Sequence, residues 1–251
     1  MAVTIKSQRE IELMRESCKI LADVFSEMEK AVHPGVSTLD INNLGEKLIR
    51  AHGCIPNFLN YNGYPASICV SVNDEVVHGI PHKDHILHEG DIVSLDAGLI
   101  HEGYHSDAAR THAVGNISEE AKRLIEVTKQ SFFEGIKLAV PGNHLFDISE
   151  AIQKYVESNG YSVVRDLVGH GIGTHLHEDP QIPNFKQRRK GMKLRPGMTL
   201  AIEPMVNEGS YDVVWLDDDW TVVTEDGSLA AHYENTIVIT EDGCEILTLS
   251  E

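Results

Sequence analysis

Along the first thirty positions apolar residues recur at alternating spacings of three and four. Ile11, Met14, Cys18, Leu21, Phe25 and Met28 fall on one helical stripe. Ser7 with Glu10 three residues on forms a capping-box pair, so the pattern predicts an amphipathic helix of about 20 residues, ended by His33-Pro34-Gly35. A second helix is predicted over 39–51, capped by Ser37 or Thr38, with Ile41, Leu44 and Leu48 on one face and Gly53 closing it. Residues 54–90 read as loops and short strands, one of them over 68–72. The period then changes. Ile92, Val93, Leu95, Leu99 and Ile100 form a β-rich run, His101-Glu102-Gly103 a short turn, and a second strand begins near His105. Ser118 caps a further helix whose Leu124, Ile125, Phe132, Ile136 and Leu138 face inward and which Pro141-Gly142 stops. A last helix is predicted from Leu145 to Ser158.

The pattern repeats itself. Pro34-Gly35 and Pro141-Gly142 are 107 residues apart, and the same offset superimposes Asp40-Ile41 on Asp147-Ile148, Lys47 on Lys154 and Gly53 on Gly160. It also lays the strand ending in Asp96 on the strand ending in Glu203, acid over acid. The fold class expected is therefore α/β (α+β): a single domain over 1–251 with halves of about 8–115 and 116–251, and a site where the halves meet.

The chemistry lies in the acids. A hairpin turning near residue 102 brings Asp96 and Asp107 almost opposite each other, within a residue or two of register. Buried carboxylates side by side need a basic partner, a shared proton or a bound cation; alternatively, the two acids lie on the wet face of an exposed hairpin. Glu203 ends an apolar strand before Pro204, and Glu234 interrupts AAHYENTIVIT, which otherwise reads as one buried strand. His170 sits between glycines in VGHGIG, where the backbone can approach closely and aim one imidazole. A single buried acid is ordinarily half of an ion pair, but Lys and Arg are absent from these immediate segments. Two Asp, two Glu and one neutral His make an oxygen-rich ligand set that two divalent cations would neutralise, suited to Mn, Fe(II), Co or Zn. Carboxylates can bridge two metals about 3.5–4 Å apart, and the set points to a dinuclear metallohydrolase.

Composition narrows the class. The 251 residues are 41% hydrophobic and carry a formal charge of −18, which argues against a general nucleic-acid or anionic-membrane binder. One local exception is KQRRKGMKLR over 186–195, six basic residues in ten, read as a solvated loop or a docking patch for an anionic partner. No stretch approaches 18 apolar residues and the N-terminus has no apolar h-region, so a cytoplasmic protein made without export is expected. Cys18, Cys54, Cys69 and Cys244 are widely spaced and read as reduced thiols.

At these residues the chain resembles a type I methionine aminopeptidase of the short bacterial kind. The resemblance covers nearly the whole length: SLDAG at 94–98, HSD at 105–107, GHGIG at 169–173, HEDPQIPN from 177, AIEPM at 201–205 and ENTIVIT at 234–240. It implies the pita-bread fold, a curved antiparallel sheet backed by two helix pairs about a pseudo-twofold axis. It implies two metal ions, with Asp96 on one, His170 and Glu203 on the other, and Asp107 and Glu234 bridging. The bridging water or hydroxide would attack the first peptide carbonyl, with Glu203 shuttling the proton, His177 on the developing oxyanion and His78 on the scissile amide. The α-amino group of the substrate would bind a metal. The methionine pocket would be lined by Phe58, Tyr61, Tyr64, Cys69, Leu176 and Trp220. Nascent polypeptides with a small second residue would be the substrates, the protein would be a monomer, and the 186–195 loop would be a candidate ribosome contact. Prolidases carry the same five ligands behind a large N-terminal domain, whereas here the first helix starts at residue 8. A binding protein that had lost the chemistry would have broken ligands, and all five are intact.

Overall fold

The computed structural model describes residues 3–249. Helix α1 spans Gln8–Glu29, α2 Thr38–Ala51, α3 Glu119–Ile136 and α4 Leu145–Ser158. The Ser7/Glu10 box caps α1 reciprocally, and Ser118 accepts from Ala121 N at the start of α3. α1 ends at Glu29, ahead of His33-Pro34-Gly35, and Val32 and Val36 in the connection pack against the core cluster that α1 and α2 share. In α2 the core face is Ile41, Gly45 and Ile49, whereas Leu44 and Leu48 are only partly buried. The reason is Gly45: a Cβ there would lie 2.7 Å from Ile68 and Met28 side-chain atoms, so the helix packs through its glycine and turns the leucines to the flank.

Nine strands form the main antiparallel sheet among the described residues: β1 Ile55–Pro56, β2 Ile68–Val72, β3 Ile92–His101, β4 Tyr104–Ala113, β5 Gly169–Gly171, β6 Glu178–Ile182, β7 Thr199–Ile202, β8 Glu234–Ile239 and β9 Cys244–Ile246. The order is β1-β3-β4-β8-β7-β5-β6, with β2 also on β3 and β9 on β8. The β4–β8 junction in the middle thus joins the two halves of the chain.

The offset of 107 reappears in the backbone. α2 and α4 coincide at both ends under it, β3 and β7 start together, and both helices have an Asp at the third position, Asp40 and Asp147, in a capping box. The isolated bridges Ser37↔Ile86 and His144↔Lys193 are also 107 apart. Gly35 and Gly142, at φ 93° and 91°, make the same left-handed turn before each helix, which a side chain would resist. Two apolar clusters follow the halves: one joins α1 and α2 to β2 and β3 through Leu21, Ile41, Ile68 and Leu95, the other joins α3 and α4 to β7 and β8 through Leu124, Phe132, Ile148 and Ile237.

Candidate active site

The β3–β4 hairpin pairs without interruption from Ile92↔Ala113 to His101↔Tyr104, so Glu102-Gly103 alone make the turn, both at positive φ. In that register Asp96 faces Ala109 and Asp107 faces Gly98, a two-residue offset that puts both acids on one face. Ala109 is in turn the partner of Glu234 on β8, and Cys69 on β2 is the other partner of Asp96. Cys69, Asp96, Ala109 and Glu234 therefore form one row across four strands, with Asp107 beside it. The expected AAHYENTIVIT strand is divided: Ala230–His232 pairs with Met205–Asn207 in a small sheet, Tyr233 turns to donate to the Pro204 carbonyl, and Glu234 opens β8.

His170 is centred in β5 between two close backbone approaches. A Cβ on Gly169 would stand 2.5 Å from the Ala201 carbonyl oxygen, and one on Gly171 2.2 Å from that of Asp179. Neither glycine has a left-handed φ; proximity is what requires them. His170 Nδ1 lies 2.9 Å from the Gly171 carbonyl oxygen, which can only accept, so Nδ1 carries the proton and Nε2 presents its lone pair. That lone pair faces acids: Nε2 is 3.6 Å from Asp107 Oδ2 and 3.6 Å from Glu203 Oε1.

The acids are starved of partners. Asp107 and Glu234 are 4% and 2% exposed, and Asp96 Oδ1, Asp107 Oδ1 and Glu234 Oε1 are buried with no hydrogen-bond partner. Burial raises all four carboxyls well above their ordinary values, and the charge of Asp107 adds to the effect on Asp96, Glu203 and Glu234. Among the described residues no Lys or Arg pairs with any of them. Arg110, one residue beyond the row, points its guanidinium at the carbonyls of Ala109, Glu234 and Thr248 and at Asn235 Oδ1. Of the possibilities open in the sequence, the basic partner and the wet hairpin face are therefore removed. Ligand atoms of Asp107, His170 and Glu234 all lie within 4.8 Å of one another. Unpaired buried carboxylate oxygens around a free imidazole lone pair are what a divalent cation requires, and the donor set fits one.

These residues line a cavity of about 310 Å³, together with Phe58, Tyr61, Tyr64, Cys69, His78, Leu176, His177 and Trp220, so the structure brings every site residue named from the sequence into one space. The Tyr61 hydroxyl is 2.7 Å from His177 Nδ1, and the His177 ring stands edge-on to His170 at 4.3 Å. Tyr64 donates to the Gly79 carbonyl and meets Trp220 edge-on at 5.1 Å. Trp220 is aimed by the acidic turn before it, since Asp218 accepts from Trp220 N, Thr221 N and the Thr221 hydroxyl. His78 adopts φ +60°, an unusual conformation for a non-glycine residue and one found where function holds the backbone. Burial lowers the imidazoles of His78, His170 and His177 to about 4, so each is neutral at pH 7.

His232, Met205, Val77 and the 166–168 segment line the same cavity without having been marked by the sequence. His232 carried one signal, its two-residue spacing from Glu234. The four thiols are free: Cys18, Cys54 and Cys69 are buried and Cys244 is partly so. No helix among the described residues is long and apolar enough to cross a membrane.

A dense carboxylate and imidazole site at the seam of two helix-backed half-sheets is the architecture of a metal-dependent hydrolase. Residues 12–241 match the model of metallopeptidase family M24, and the chain belongs to that family. It is 58% identical over 249 residues to a methionine aminopeptidase of Clostridium acetobutylicum, with 99% of this chain and 100% of that one covered. Its fold matches the crystal structure of methionine aminopeptidase from Thermotoga maritima with a TM-score of 0.97 at 48% identity, over 99% of this chain and 100% of the other. A Xaa-Pro dipeptidase from Bacillus anthracis is similar at 26% identity and a TM-score of 0.80, with 98% of this chain but 62% of that one covered. The fold is thus the pita-bread arrangement of these metallopeptidases, a curled antiparallel sheet backed by helices.

Proposed function

We propose that this protein removes the N-terminal methionine from nascent proteins and peptides by metal-dependent hydrolysis, preferring a small second residue. The observation that carries the reading is the set of unpaired, buried carboxylate oxygens around His170 Nε2, opening directly onto an apolar box. Asp96 would hold one divalent ion, His170 and Glu203 a second, and Asp107 and Glu234 would hold both; the ion is Mn, Fe(II), Co or Zn. Bound there, the ions supply Lewis acidity and lower the pKa of water to near neutrality.

The chain's own residues do the rest. Glu203, whose carboxylate lines the same cavity as the other acids, takes and returns a proton there. His177, steadied through Nδ1 by the Tyr61 hydroxyl, is the polar group on the oxyanion side, and His78, edge-on to Trp220, is that on the amide side. Phe58, Tyr61, Tyr64, Cys69, Leu176 and Trp220 bind the methionine side chain and exclude water, and aromatic rings and a thiol suit an unbranched thioether.

One copy supplies every residue named, so a monomer suffices. The matched backbone features at an offset of 107 support a single catalytic domain made of two related halves. The exposed side chains of Arg188, Arg189 and Lys190 give a docking patch for the ribosome in the cytoplasm, where nascent chains emerge. Charge reversal at these three residues should weaken co-sedimentation with ribosomes, and unchanged binding would remove that partner. The metal assignment is tested by titrating Mn(II) into chelated protein. Two equivalents bound in wild type and fewer in Asp107→Asn are expected; a single equivalent in wild type would overturn the dinuclear reading.

A further inference from the structure

His232 is 2% exposed, and neither of its ring nitrogens has a hydrogen-bond partner. An unpaired buried polar atom costs about 1–3 kcal/mol, and such a site is retained where something uses it. The backbone here is held firmly. His232 N–H donates to Thr111 Oγ1 at 2.9 Å, the Thr111 hydroxyl donates to the His232 carbonyl at 2.9 Å, and Met205 is its cross-strand partner. On the opposing segment Asn184 Nδ2 donates to the Glu203 carbonyl at 2.9 Å, and Tyr233 N–H to that of Pro204 at 3.2 Å. Two fixed backbones thus set one ring against one carboxylate: His232 Nε2 is 3.9 Å from Glu203 Oε2, while Glu203 Oε1 is 3.6 Å from His170 Nε2. The two oxygens of Glu203 face two different imidazoles. A small rotation of the glutamate closes 3.9 Å to a hydrogen bond, and contacts of this kind tighten when a site is loaded.

We propose that His232 is a positioning residue for Glu203: it donates from Nε2 to Oε2 and so turns Oε1 toward His170 and the metal position. This rests on the metallopeptidase reading of the site. Outer partners of ligating carboxylates are worth about 10–100-fold in metal affinity or activity.

The test compares full-length wild type, His232→Leu and His232→Gln, using Mn(II) titration of the chelated proteins, the visible spectrum of the Co(II)-loaded proteins, and kinetics on Met-Ala-Ser. His232→Leu should lose at least about tenfold in kcat with KM little changed, bind Mn(II) about tenfold less tightly at the position Glu203 holds, and alter the Co(II) spectrum. His232→Gln, which keeps an N–H donor of similar reach, should recover most of each loss. If His232→Leu does not fold, His232→Asn, whose amide is one methylene shorter than that of Gln, takes its place with the same expectation. Wild-type kcat and Mn(II) affinity in the Leu or Asn variant, a loss confined to KM, or a Gln variant no better than that variant would overturn the role of His232. Failure of the wild type itself to cleave with any metal would instead overturn the reading of the site, and the Mn(II) affinities would still decide whether His232 acts on Glu203.

Discussion

Gly171→Ala should damage both the fold and the site. The added Cβ would stand 2.2 Å from the Asp179 carbonyl oxygen, and real Cβ atoms essentially never come nearer than 3.0 Å, so β5 and β6 must separate by the difference, roughly 0.8 Å. No flexible side chain can absorb this, because the obstacle is backbone on the strand paired with Gly171. Overpacking of this kind costs about 1–3 kcal/mol, and a weakened strand pairing adds about 1 kcal/mol, so about 3 kcal/mol is expected. For a chain of this size that lowers Tm by roughly 6–12 °C. The shift also carries His170, the neighbouring residue, away from Asp107 and Glu203, and misplacement by about 1 Å can cost about 100-fold in rate. Thermal unfolding of the chelated protein reads the first effect, and Mn(II) affinity with Met-Ala-Ser turnover reads the second. A variant melting within 2 °C of wild type (about 1 kcal/mol or less) with unchanged Mn(II) affinity and turnover would refute the claim that close backbone approach aims His170.

Asp107→Asn keeps the shape of a side chain that sits between the other ligands, so a folded protein with nearly no methionine release is expected; activity near wild type would remove Asp107 from the site. Glu75, whose carboxylate accepts from Val72 N–H, has its pKa raised to about 7 by burial, then by Asp74 and Asp218. Below its ordinary value of 4.5 both folded and unfolded states are protonated; between 4.5 and 7 only the folded state holds the proton, so rising pH favours unfolding through that window. Glu75→Gln, which retains an acceptor for Val72, should therefore gain about 2–3 kcal/mol in stability at pH 8 and almost nothing at pH 4. Equal gains at both pH values in denaturant titrations would show that ionisation of Glu75 is not the cause.

Local pattern carried much of this architecture. Capping pairs and helical stripes set α1 to α4 to within a few residues, and the short turn expected over 101–103, which the structure tightens to Glu102-Gly103, placed the hairpin closely enough to bring Asp96 and Asp107 to one face. The internal offset of 107 was legible because each half meets the same physical demands: a left-handed turn, an acid-capped helix, and a strand carrying an acid. What escaped depended on contacts between distant segments. Leu44 and Leu48 satisfy helical periodicity, yet Gly45 decides the packed face because Ile68 of another element comes so close. His232 looked like one more residue of a single strand, and only the pairing of Met205 with His232 and the turn at Tyr233 bring it to Glu203. Asp218 stands in a run of three aspartates with no motif to mark it, and its three bonds to residues 220 and 221 are what aim Trp220 into the cavity.

A metal-dependent aminopeptidase specific for methionine has a plain signature in solution. The measurement is release of free methionine from Met-Ala-Ser, with Xaa-Pro peptides alongside, after chelation and then add-back of Mn, Fe(II), Co or Zn. Activity lost on chelation and restored by metal, on Met-Ala-Ser alone, is the predicted result. Cleavage of only the Xaa-Pro peptides, or none with any metal, would contradict it.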